Sequence, residues 1–136
     1  MRPRGNTQED YLLRMIRQAA EILRQLKHRL LGGESSPESI QRDAAAAIDL
    51  LLGSQASVLA MLDPASAVQL VGHPALVELW CSLLDVEADA TEASSDTSGD
   101  ATFAVRRRAR AVALRDAART LWGETSALDD AERSRE

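Results

Sequence analysis

TQEDYLLRMIRQAAEILRQLKHRLL, residues 7–31, decides the fold class. Leu12, Ile16, Ala19, Leu23, Leu26 and Leu30 recur at spacings of 4, 3, 4, 3 and 4, a heptad seam on one face of a helix. Met15, Ala20 and Ile22 widen the seam. Arg14, Arg17, Glu21, Arg24, Gln25 and His28 fall on the opposite face of the wheel, so the helix is amphipathic. Thr7 can cap it, Glu9 and Asp10 suit the positive end of its dipole, and Gly32-Gly33 can stop it.

The same punctuation repeats downstream. Ser36-Pro37-Glu38 reads as a helix start, with serine as cap and proline in the first turn. That second helix runs to about Leu52, with Ile40, Ala44, Ala47, Ile48 and Leu51 inward, and Gly53 stops it. A short helix from Gln55 to Leu62 follows, then another from Asp63-Pro64 to Gly72, then a fifth from His73-Pro74 to about Ala90. Residues 91–100 are small, polar and acidic and read as a mobile loop. The sixth helix spans about Ala101 to Trp122, where Gly123 ends it. No run alternates β-branched with polar residues, so no strand is expected. The expected architecture is all-α, a bundle of about six helices in one domain over residues 7–122. A disordered N-terminus (1–6) precedes it and a polar tail (123–136) follows.

The chain has 136 residues, 45% of them apolar, enough for one core. Aromatics are only 3%, so close helix packing through alanine and leucine is expected and platforms for stacking bases or sugars are scarce. Cys81 is the one cysteine, which rules out a disulfide within the chain and fits a reducing compartment. Residues 1–10 contain no apolar signal core, and no run of 18 or more uncharged apolar residues occurs. A cytoplasmic protein without a membrane span is the expectation. The net charge of −5 is uneven: residues 1–31 carry seven Arg/Lys against three Asp/Glu, and the remainder nine against eighteen. Only the first helix is electrostatically suited to an anionic surface.

Asp10-Tyr11-Leu12-Leu13-Arg14-Met15-Ile16-Arg17-Gln18 resembles the start of an uncharacterised bacterial family of small helical proteins. Ile48-Asp49-Leu50-Leu51-Leu52-Gly53, followed by a short Asp-initiated helix and an Arg/Ala-rich final helix, is laid out similarly. The resemblance covers most of residues 10–121 and implies a degenerate tetratricopeptide-like hairpin behind an N-terminal helix. It implies no reaction, cofactor or catalytic residue. A 34-residue period and the full tetratricopeptide consensus are both missing.

Leu12, Ile16, Ala19, Leu23, Leu26 and Leu30 form the candidate interface. The seam packs on its own domain, pairs with a second copy as a homodimer, or lies on an anionic lipid surface; the absence of Trp and Phe on its apolar face argues against the last. The run Arg106-Arg107-Arg108-Ala109-Arg110 invites a nucleic-acid reading, but on a helix these arginines do not share one face and their surroundings are acidic. Glu78, Asp85 and Asp89 line a stripe of the fifth helix and Arg108, Arg115 and Arg119 a stripe of the sixth. His28 is expected in water, His73 in a local turn and Cys81 as a buried, inert thiol. No metal ligand set, phosphate-cradling loop, cofactor site or catalytic residue is indicated. Glu87 falls inside the apolar arc of the fifth helix, and an antiparallel hairpin brings it level with Arg107 and within reach of Arg110. These three form the candidate structural ion pair, and loss of one partner is expected to cost roughly 3 kcal/mol. The expected function is a non-enzymatic protein-interaction module, self-associating through the first helix. The alternative is a peripheral membrane or nucleic-acid-binding regulator that uses the basic first helix, although neither membrane nor nucleic acid is the expected partner.

Overall fold

The computed structural model describes residues 5–33, 35–94 and 100–135, with side chains described for 10–33, 35–94 and 101–123. The described residues contain helices and no strand. The chain runs through α1 (Gly5–Gly32), α2 (Pro37–Leu52), a 3₁₀ turn (Gly53–Gln55), α3 (Ala56–Met61), α4 (Pro64–Val71), α5 (Pro74–Ala93) and α6 (Asp100–Arg135). Helical backbone continues from Pro37 to Met61 with only the 3₁₀ turn as a break, so the number of helices depends on whether that break is counted.

Local chemistry sets most boundaries. Ser36 Oγ accepts from the Ser39 amide at 3.2 Å and Asp63 Oδ2 from the Ser66 amide at 3.1 Å, each ahead of a proline in the first turn. His73 caps α5 in the same way, with Nδ1 accepting from the Ala75 amide at 3.2 Å. Gly72 ends α4 at φ 74°, a left-handed conformation that a side chain disfavours. Between α1 and α2 a single guanidinium fastens the turn. Arg29 donates through Nε to Ser35 Oγ at 3.0 Å, through Nη2 to Ser39 Oγ at 3.0 Å and through Nη1 to Asp43 at 2.7 Å.

α5 is the central helix, and α1, α2, α4 and α6 all pack on it. Trp80, Cys81, Leu83, Leu84 and Val86 of α5 join Leu26 of α1, Ile40, Ala44 and Leu51 of α2, Val68 of α4 and Ala111 and Leu114 of α6 in one core. Ala88 and Ala90 on α5 and Ala104 and Ala111 on α6 are buried, so small side chains let these two helices approach closely. α5 and α6 are antiparallel, and their charged stripes interlock. Arg108 bonds Asp89 and Glu92 near the connection; farther along, Arg115 bonds Asp85 at 2.8 Å and holds both Glu78 oxygens, at 2.8 and 3.1 Å. Arg119 turns instead to Asp116 on its own helix.

Several boundaries differ from the sequence reading. α1 begins at Gly5, so Thr7 lies inside the helix and only residues 1–4 of the expected disordered terminus fall outside the described residues. α5 continues through Thr91 to Ala93. Thr91 is buried, and its Oγ1 donates back to the Glu87 carbonyl at 2.8 Å. Ser94, also buried, donates from Oγ to Glu38 at 2.9 Å and ties the end of α5 to the start of α2. Of the expected mobile loop, residues 95–99 lie outside the described residues. Gly123 does not end α6: the helix runs on to Arg135, and a Cβ at Gly123 would meet only the Arg119 side chain, at 3.1 Å. Pro37–Met61 is long and apolar enough, by length and composition alone, to cross a membrane, where none was expected; in this fold its inward residues, Ile40, Ala44, Ala47, Leu51 and Leu59, are core.

Candidate functional site

The seam of α1 divides in two. Ala19 and Leu26 are buried in the chain's own core, and Leu23 and Leu30 pack against it. For these four the fold follows the own-domain alternative, with Leu23 and Leu30 remaining half-buried. Leu12 and Ile16, with Met15, lie N-terminal to Ala19 and outside the core cluster of the described residues, and remain half-buried. Beside them Tyr11 is 60% and Leu13 49% exposed. His28 is exposed as expected.

α2 and α6 both rest on α5 but scarcely touch one another, and a groove of about 520 Å³ opens between them. Its walls have a regular construction. Ala45, Ile48, Asp49 and Leu52 line it from α2, and Phe103, Arg106, Arg107 and Arg110 from α6. Each set has i, i+3, i+4, i+7 spacing, one helical face about two turns or 10 Å long. Trp80, Leu84 and Glu87 form the floor from α5, and Ala56 and Ala60 close one side.

Glu87 sits in this floor at 3% exposure, and its Oε1 has no hydrogen-bond partner. Arg107 Nε comes within 3.7 Å of that oxygen, an ionic contact too long for a hydrogen bond. The Arg107 guanidinium instead lies over the Phe103 ring, 4.6 Å from its centroid, and the side chain is 40% exposed. Arg110 does not reach Glu87. It crosses the Trp80 ring at 5.6 Å and donates to the Leu59 carbonyl at 2.8 Å, satisfying the end of α3. Of the candidate ion pair, the fold brings Glu87 and Arg107 together and sends Arg110 elsewhere.

Burial drives the Glu87 carboxyl above its ordinary range; the Arg107 charge opposes this and nearby Asp49 adds to it. Burial also pushes the Arg110 guanidinium down from its usual value. Cys81 is fully buried and its thiol is pushed up to about 12, mainly by loss of solvent. Glu78 is held below the usual carboxylate range by its hydrogen bonds from Arg115. Among the described residues no group of three His, Cys, Asp or Glu is placed to hold a metal ion.

The groove was not foreseen from the sequence, although its pieces were visible. Asp49 is the single charge between Ala44 and Leu52, and Phe103, Arg106, Arg107 and Arg110 recur at i, i+3, i+4, i+7 spacing. No protein-family model, no curated protein and no solved structure matches this chain. The groove carries carboxylates on the α2 side and floor, guanidiniums on the α6 side, and apolar surface between.

Proposed function

We propose that this chain is a non-enzymatic protein-interaction module that self-associates through the first half of α1, with a homodimer as the product. The observation that supports this reading is the half-buried apolar stripe of Leu12, Met15 and Ile16, which continues past Ala19, where the core of the described residues stops. Such a stripe on a helix gains by meeting a second apolar stripe. Within the same reading, the chain is a bundle of about six helices, and the close α5–α6 pair is the tetratricopeptide-like hairpin. The resemblance to the uncharacterised bacterial family extends to this chain, which works in the cytoplasm without cofactor or metal.

Light scattering on the size-exclusion eluate tests the proposal. The wild-type chain runs as a dimer at tens of micromolar, and Ile16→Asp runs as a folded monomer, because Ile16 lies outside the core cluster of the described residues. A wild-type chain that is monomeric throughout that range overturns self-association. Binding of the chain to anionic vesicles or duplex DNA, abolished by Arg14→Glu with Arg17→Glu, would instead support the basic-helix alternative.

A further inference from the structure

We propose that the groove between α2 and α6 is a docking site for an amphipathic helix of another protein, one that carries a lysine or arginine within its apolar face. This rests on the interaction-module reading and goes beyond it by naming a second surface and its ligand.

Shape points to a helix. Two walls, each a two-turn i, i+3, i+4, i+7 stripe, flank a floor made by Trp80, Leu84 and Glu87 at i, i+4, i+7 on α5. Both wall helices run antiparallel to α5: Ser94 at its end meets Glu38 at the start of α2, and Arg108 near the start of α6 meets Glu92. A slot between two parallel helices, lying over a third, is the place where a fourth helix completes a bundle. Small side chains at Ala45, Ala56 and Ala60 leave room for larger residues to enter.

Charge specifies what that helix carries. Glu87 Oε1 is buried in the floor and accepts no hydrogen bond, while the nearest cation, Arg107, stops at 3.7 Å and is turned over Phe103. An unmet buried acceptor is costly, and a donor that enters with the ligand removes the cost. Asp49 lines the wall beside it, so a lysine or arginine head descending here meets two carboxylates. On the opposite wall Arg106 has no ion pair among the described residues, and Arg107 keeps donors free of Glu87. They suit acidic residues one turn away on the incoming helix. The recognised element is thus an apolar stripe holding one basic residue, flanked on one side by acid.

The probe is a displayed library of 16-residue helix-forming peptides randomised on one face, selected against the full-length chain. Enriched peptides should share a basic residue inside the apolar stripe. They should bind Glu87→Met roughly tenfold or more weakly, as expected when one partner of a desolvated charge pair is lost. Glu87→Met should melt no lower than wild type, which separates lost binding from lost folding. In a Trp122→Phe background Trp80 is the one tryptophan, and peptide binding should shift its emission. Failure to enrich any peptide, enrichment without a basic residue, or equal affinity for wild type and Glu87→Met would each overturn the docking site. Ile16→Asp should leave peptide affinity unchanged, so failure at the groove and failure of self-association through α1 are read separately.

Discussion

Replacing Glu87 with methionine should stabilise this protein, the opposite of what a buried ion pair suggests. Removing one member of such a pair is usually destabilising by about 3 kcal/mol or more, because the surviving charge is left without water. Here the survivor is Arg107, whose side chain is 40% exposed and rests on Phe103, so it stays solvated after the substitution. The roughly 3 kcal/mol cost expected for losing either partner therefore does not apply to Glu87. What disappears is a carboxylate oxygen buried without a hydrogen bond, a penalty of about 1–3 kcal/mol. Methionine keeps similar bulk and helix preference and suits Leu84 and Trp80 beside it. For a chain of this length roughly 3–5 °C of melting temperature is expected per kcal/mol.

The same substitution has a pH signature. The folded chain holds the Glu87 proton more tightly than the unfolded chain, since burial raises its folded value. Stability from this group is thus greatest below the ordinary glutamate range and is lost as pH rises through the raised folded value. The gap between Glu87→Met and wild type should be narrow near pH 4 and wide at pH 7. Thermal melts by circular dichroism across that range measure it. A variant less stable than wild type at pH 7, or a gap that does not change with pH, would refute the reasoning.

Arg29→Ala removes three hydrogen bonds at the α1–α2 turn and should cost about 1–2 kcal/mol, seen as a lower urea midpoint with an unchanged slope. Cys81 should resist iodoacetamide at pH 8 in the folded chain and react once urea unfolds it; rapid labelling of the native protein would contradict its burial. Ala111→Leu forces a larger side chain between α5 and α6 and should destabilise by about 1–3 kcal/mol in the same urea titration.

Sequence carried the features that depend on neighbours in the chain. The helix of α1, the Ser36 and Asp63 starts and the Gly72 stop are local chemistry, and each stands where its residues predict. The level of Glu87 with Arg107 was also legible, because one short connection fixes the register of an antiparallel pair. Thr91–Ala93 was misread because a small polar run suggests a loop, whereas Thr91 bonds its own helix and Ser94 reaches across to Glu38. Arg110 was misplaced because its acceptor is a main-chain carbonyl at the end of α3, which no side-chain pattern advertises. The groove is the extreme case. Its two walls lie more than fifty residues apart in the chain, and their facing depends on both helices choosing α5.

The position of α5 also matters while the chain is being made. A solenoid folds as it emerges, since each repeat rests on the one before it. This chain cannot do so, because the helix on which α1 and α2 rest is synthesised after both, and α4 packs mainly on α6, which is made last. Once α2 is complete, about forty more residues must be added before α5 is complete, a few seconds at about 5–20 residues per second. During that interval α1 and α2 can close on each other through the Arg29 turn, but Ile40, Ala44 and Leu51 have no lasting cover. The nascent chain therefore exposes apolar surface on α2 until residue 93 has left the ribosome, and on α5 until α6 follows.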